Sequence, residues 1–135
     1  MRTRFLSALI AFGALYVIGL APLRAHHSFA AEFDANKPLT LKGTVTQIDW
    51  SNPHVWFYIN VKDEDGKTTR WACEMGAPHQ LQGRGWMRET MKVGDVVTVD
   101  GSQARDGTHR ANARTVTTAD GRRMGAASSG PTTGQ

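Results

Sequence analysis

One short stretch limits the architecture more than any other: Asp49-Trp50-Ser51-Asn52-Pro53-His54-Val55-Trp56-Phe57-Tyr58-Ile59-Asn60. Val55, Phe57, Ile59 and Val61 fall on one side of it, and His54, Trp56, Tyr58 and Asn60 on the other. A period of two in β-branched and aromatic residues specifies a strand with one buried face. Ser-Asn-Pro ahead of it specifies a turn, because Pro53 fixes its own φ and drives Asn52 to an extended conformation. His54 therefore leaves a rigid corner and opens a strand, its position set by the backbone.

The same reading extends along the chain. Leu39 to Trp50 reads as a long strand in which Leu41, Gly43 and Val45 share one face before Ile48 and Trp50 appear on the other. A phase change beside a glycine marks a bulge or a sharp bend. After the second strand, His54 to Lys62, Asp63-Glu64-Asp65-Gly66 is a hairpin turn with Gly66 supplying positive φ. Lys67 to Met75 is the third strand, with Trp71, Cys73 and Met75 facing one way and Arg70, Ala72 and Glu74 the other. Pro78 suits the first turn of a short helix ending near Gly83. Val96 to Ser102 and Arg110 to Thr118 are the fourth and fifth strands, and Asp120-Gly121 turns the chain once more. This order, with its bent first strand, predicts a mainly β fold: a small five-stranded, OB-like, partly open barrel with one short helix between strands 3 and 4. A plain β-sandwich is the alternative, and there are too few strands for an immunoglobulin-like domain.

The ends read differently. Met1-Arg2-Thr3-Arg4, the apolar run Phe5 to Leu20 and the small-residue exit at Ala25 have the three regions of a secretory signal peptide. The run is slightly short for a spanning helix, so a membrane enters only if the leader stays uncleaved. Residues 1–25 are expected to be a signal peptide, 26–38 an N-terminal arm, 39–124 the barrel domain and 125–135 a disordered tail rich in small polar residues. Phe29 and Phe33, four apart, can pack the arm on the body. A periplasmic or secreted location follows. Sixteen Lys and Arg stand against twelve Asp and Glu. Loss of Arg2, Arg4 and Arg24 with the leader leaves a near-neutral chain, so composition does not support a nucleic-acid partner. The single cysteine, Cys73, permits no internal disulfide, and in an oxidising compartment a lone thiol is safest buried.

Several segments together resemble a bacterial family of small exported proteins catalogued only as a domain of unknown function. They are His26-His27-Ser28-Phe29, Leu41-Lys42-Gly43, Trp50-Ser51-Asn52-Pro53-His54-Val55-Trp56, the Trp71 and Glu74 pair, Arg84-Gly85-Trp86 and Lys92-Val93-Gly94-Asp95. The resemblance covers nearly the whole mature chain. It implies an exported, mostly β protein and no particular activity. Cys73 and His79 fall outside the family pattern.

Two kinds of site can be read from these residues. Cleavage after Ala25 makes His26 the N-terminal residue, whose amino group and ring can chelate a metal; cleavage after Ala30 would remove both His26 and His27. His54 would add an imidazole, His27 is an alternative ring, and Glu74 is an oxygen ligand or the acceptor that orients one. That donor set suits copper first. Counting back from the turn, His54 falls opposite a residue near 75, so His54 and Glu74 are expected to be neighbours across a hairpin. The plainer reading bonds His54 to a turn carbonyl, pairs Glu74 with Arg70 or Lys62, and leaves the histidine arm as a tail. The second kind of site is an aromatic face of Trp50, Trp56, Tyr58 and Trp86 that would dock a small ligand or an exported protein partner, although tryptophan in so small a domain more often fills the core. No constellation names a reaction. Ser28 beside His27 is not a nucleophile–base pair by position alone, and Asp49 and Glu74, on separate strands, are more simply solvated carboxylates than an acid–base pair. The expectation is a non-catalytic exported β-barrel that binds a metal ion or small ligand near the Asn-Pro-His corner, or else a protein-interaction module.

Overall fold

The computed structural model describes residues 29–128. The expected leader, His26, His27 and residues 129–135 lie outside them. A one-turn helix, α1 (Phe29–Glu32), runs straight into β1 (Phe33–Asp49). Then follow β2 (Trp56–Lys62), β3 (Thr68–Glu74), the short helix α2 (Pro78–Gly83), β4 (Val96–Ala104), β5 (Arg110–Thr117) and β6 (Arg123–Gly125). Strand order is β3-β2-β1-β4-β5-β6, and β3 also pairs in parallel with the first residues of β5. All other pairings are antiparallel. Strands β1 to β5 thus form a closed ring of pairings, and β6 extends the β5 edge beyond the point where β3 leaves it. The fold is mainly β, with α2 between the third and fourth strands.

The bend in β1 makes the ring possible. Its first half pairs with β4 and its second half with β2, the two ladders overlapping at Gly43 and Thr44. The register slips between Val45 and Gln47, the bulge that the phase change along this strand predicts. A Cβ on Gly43 would come within 2.6 Å of the Asn60 carbonyl oxygen, so the overlap demands glycine. Across the β2–β3 hairpin, Trp56 pairs with Glu74 and Lys62 with Thr68. Its turn closes on a Gly66 N–H to Asp63 carbonyl bond of 3.0 Å, with Gly66 at φ 81°.

Alternation sends Phe57, Ile59, Cys73, Val97, Val99 and Ala111 into one core, with Leu81 of α2, Trp86 and Met91 joining it. Burying each larger apolar side chain of this kind contributes about 1.5–3 kcal/mol. Phe33 and Ala104 are also buried, but belong to no part of that cluster. They pair with each other on the outer side of the ring.

The structure differs from the expected boundaries at both ends. The first strand begins at Phe33, inside the expected arm, because Phe33 finds its own buried place against Ala104. The expected domain end at residue 124 falls within β6, and the chain stays on the body as far as Ser128. The Gly76 N–H bonds to the Ala126 carbonyl (2.8 Å), and the Ala126 N–H to the Arg114 carbonyl (2.9 Å). Backbone bonds hold Ala126 and its methyl is buried in the core cluster, but a lone small side chain outside any periodic run does not announce itself.

Candidate functional site

The Asn-Pro-His corner links β1 to β2, and its Asn52–Pro53 peptide bond is cis. The chain regains the ladder at Val55, which donates its N–H to the Gly76 carbonyl (3.1 Å) and accepts the Met75 N–H (2.8 Å). His54 is held just outside that ladder. Its Nδ1 lies 2.5 Å from Oε1 of Glu74, with the two side chains 33% and 6% exposed. Nδ1 therefore faces the carboxylate at hydrogen-bonding distance, and Nε2 is on the opposite side of the ring. The expected adjacency of His54 and Glu74 is therefore present. Arg70 is not the partner of Glu74: it donates to Gln47 Oε1 (2.9 Å) and lies over the Tyr58 ring, 4.6 Å from its centroid.

Glu74 sits in a row that crosses four strands: Trp56 on β2, Glu74 on β3, Asn112 on β5 and Ser102 on β4. Paired residues project to one face of a sheet. This row is on the face away from the core, because Phe57, Cys73 and Ala111 point inward. Glu74, Asn112 and Ser102 are nonetheless buried. A buried polar row on the outside of a ring needs a cover, and the N-terminal arm supplies much of it. Phe29 stacks on Phe33 with centroids 5.9 Å apart. Arg105 donates Nε to the Ala30 carbonyl (2.6 Å) and its backbone N–H to the Glu32 carbonyl (2.9 Å). From the other end of the chain, the Ser128 hydroxyl accepts Nδ2 of Asn112 (3.0 Å).

Between arm and sheet lies a cleft of about 250 Å³. The arm lines it with Phe29, Glu32 and Phe33, the corner with Pro53 and His54, and the outer face with Trp56, Glu74, Arg110 and Asn112; Ser128 completes the wall. Arg110 pairs with Glu32 (3.2 Å) while its guanidinium faces both the Phe33 and Trp56 rings.

The sequence-predicted residues divide. His54, Glu74 and Trp56 meet in the cleft, and Tyr58 is next along the same face. Trp50 packs against the core cluster instead. Trp86 is not part of any surface: it is fully buried and donates its indole N–H to the Gly125 carbonyl (2.8 Å). The four aromatics therefore do not form one face. His26 and His27 lie outside the described residues. Among the described residues, no group of three or more His, Cys, Asp or Glu could hold a metal ion. Cys73, next to Glu74 in sequence, points into the core, where burial pushes its thiol up to about 12.

Sequence reasoning misses Glu32, Arg110, Asn112 and Ser128. Arg110 and Asn112 alternate with core-facing alanines and are legible as an outer face, but no local signal says that this face adjoins Glu74. A family model described as a family of unknown function (DUF6152) matches residues 15–113. No curated protein and no solved structure matches the chain.

Proposed function

The chain belongs to that family of unknown function, and we propose that it is an exported small β protein of OB-type architecture that binds one metal ion, copper first, in the cleft beside His54. The ring order supports the architecture: a parallel β3–β5 pairing closes a five-strand circuit, with α2 between β3 and β4. One observation carries the binding reading. The arm and the imidazole held by Glu74 share a cleft, with Phe29 lining it beside His54. A chain spans at most about 3.6 Å per residue, so His27 and His26 are tethered within roughly 7 and 11 Å of Phe29. After cleavage behind Ala25, the amino group and ring of His26, with His27 as the alternative ring, and Nε2 of His54 are the nitrogen donors. Glu74 acts through His54, as a carboxylate behind a ligating imidazole does.

The donor chemistry favours divalent copper over the cuprous ion, because the cleft offers nitrogen and oxygen while Cys73 faces the core. The size of the cleft, about 250 Å³, is below the roughly 300–1,000 Å³ of small-molecule pockets, which favours an ion over an organic cofactor. The docking alternative has less behind it, since Trp86 is in the core and an arginine already lies over each of Trp56 and Tyr58.

The test is intact mass of the protein from its export compartment, followed by competitive copper(II) titration. A chain beginning at His26, one copper per chain and loss of that binding in His54→Ala are expected. Glu74→Gln should weaken affinity by about 10–100-fold. A chain beginning at Ala31, or copper affinity indifferent to His54→Ala, overturns the proposal.

A further inference from the structure

Four core residues lie in one row across β1, β4, β5 and β6: Leu41, Val99, Val116 and Met124, each the paired neighbour of the next. Side chains alternate between faces, so the rows on either side of it project outward. One is Lys42, Thr98, Thr117 and Arg123; the other is Thr40, Asp100, Thr115 and Gly125. None of these residues lines the cleft. Neighbouring strands stand about 4.8 Å apart, so each row spans roughly 14 Å.

The face carries positive charge and hydroxyls. Asp100 is the one acid in these rows, and three strands engage it. It accepts the hydroxyls of Thr40 (2.7 Å) and Thr115 (3.4 Å) and pairs with Nη2 of Arg123 (3.3 Å). That set fixes Arg123 on the face. Lys42 is exposed at the other end of its row. Arg114, the extra residue between the partners of Asp100 and Gly101, is exposed too, and such a bulge re-aims its side chain. Arg84 reaches the face from the end of α2. It donates Nη1–H to the Ala127 carbonyl (2.6 Å), and its Cδ lies 3.8 Å from where a Cβ on Gly125 would stand. Among the described residues, Lys42, Arg84 and Arg114 pair with no carboxylate.

This chemistry selects a ligand class. Arginine and lysine attract carboxylates. A threonine hydroxyl both donates and accepts, as a ligand covered in hydroxyls requires. The rows hold no aromatic ring on which a nucleobase could stack. The exposed apolar residue beside them is Val96, paired with Thr44, and one valine is too little for a bilayer to take up.

We propose that this outer face of β1, β4, β5 and β6 binds an acidic polysaccharide, with Lys42, Arg84, Arg114 and Arg123 meeting its carboxylates and Thr98 and Thr117 its hydroxyls. The proposal is independent of the metal reading above.

The experiment titrates oligogalacturonate into the full chain and reads amide shifts by nuclear magnetic resonance. Poly-L-glutamate supplies carboxylates without sugar hydroxyls, and dextran supplies hydroxyls without carboxylates. Oligogalacturonate should move the amides of Lys42, Thr98, Thr117 and Arg123, leave those of the β2–β3 turn in place, and bind more weakly as salt is raised. Lys42→Ala and Arg114→Ala, both at exposed positions, should each weaken it roughly two- to fivefold, the worth of one exposed charge contact. Lys67→Ala, on the hairpin, should not. Thr98→Val combined with Thr117→Val keeps the β-branched shape and removes the hydroxyls, so it should weaken oligogalacturonate by a similar factor. Unaltered thermal midpoints separate these losses from a folding defect. Poly-L-glutamate binding as tightly as oligogalacturonate, with the threonine pair indifferent, would mean an acidic protein segment read by charge alone and overturns the polysaccharide. Dextran binding as tightly as oligogalacturonate overturns the role of the cations. Absence of shifts on this face overturns the proposal outright.

Discussion

Replacing Trp86 with phenylalanine separates a core residue from a ligand platform. Trp86 is 0% exposed and donates its indole N–H to the Gly125 carbonyl at 2.8 Å. The substitution removes that donor and part of the ring. Gly125 is itself exposed and its carbonyl can turn to water, so the lost hydrogen bond costs about 0.5–1.5 kcal/mol, and the space left by the missing ring atoms adds about 1 kcal/mol. The sum, roughly 1.5–2.5 kcal/mol, is a sizeable share of the ~5–15 kcal/mol that holds a typical domain together. At about 4–8 °C per kcal/mol for a domain of this size, the thermal midpoint should fall on the order of 6–20 °C. The loosening should begin locally. Gly125 ends β6 next to Ala126, whose bonds reach Arg114 and Gly76, so hydrogen exchange at the Gly76 and Ala126 amides should quicken before the rest of the sheet. Trp56→Phe is the control, since Trp56 is only half-buried on the outer face. A surface tryptophan would change stability by no more than about 0.5 kcal/mol. A Trp86→Phe protein melting within about 3 °C of wild type would refute the reasoning.

Gly101→Ala should destabilise by about 1–3 kcal/mol in urea unfolding. Its Cβ would run into the Asn112 carbonyl oxygen and stand 3.3 Å from Ala113 Cα, both backbone atoms that cannot swing away; an unchanged urea midpoint would show that β4 and β5 have room to part. Cys73, its thiol pushed up to about 12 by burial, should ignore a thiol reagent at mildly alkaline pH and react fully in denaturant, and rapid labelling of the native protein would contradict its place in the core. The Asp120 carboxyl is held down to about 2 by the Thr118 hydroxyl (2.5 Å), with the Arg122 side chain (2.7 Å) and backbone N–H assisting. A depressed acid stabilises fully above its unfolded value of 3.8 and loses that contribution as pH falls through its folded value. A carboxyl titration by nuclear magnetic resonance should place its midpoint near 2, and a midpoint near 4 would mean that the turn does not grip it.

Alternation makes the walls of the ring legible because a side chain on a strand has only two directions to take. Phe57 and Ile59 against Trp56 and Tyr58, and Cys73 against Glu74, fall as a period of two requires. The bulge in β1 is legible for the same reason, since a two-residue period that changes phase must contain an extra residue. Gly66 and Pro78 announce a turn and a helix start through their own backbone preferences. The three-residue β6 holds one apolar side chain, Met124, and so has no period to read. Ala126 stays on the body through its amide, its carbonyl and a methyl that joins the core, but a single alanine outside any periodic run gives no local sign of the contact. Trp86 lies on no periodic element, and nothing local tells which way it points.

The candidate site follows the same division between local and distant pairing. A hairpin has arithmetic: once the turn sits at Gly66, the residues opposite one another are set, and the His54–Glu74 pair follows by counting. Arg110 and Asn112 reach Glu74 through a parallel pairing between strands separated in sequence by α2 and all of β4, and no counting rule applies across that distance. The consequence is physical as well as predictive. The imidazole–carboxylate pair needs only the corner and the hairpin, while the hold of the guanidinium on Glu32 needs the ring to be closed. A change that displaces β5, such as Gly101→Ala, should therefore free the arm to protease while leaving the β2–β3 hairpin protected from exchange. If arm and hairpin loosen together instead, the cleft is one cooperative unit and the arm is not held separately from the hairpin.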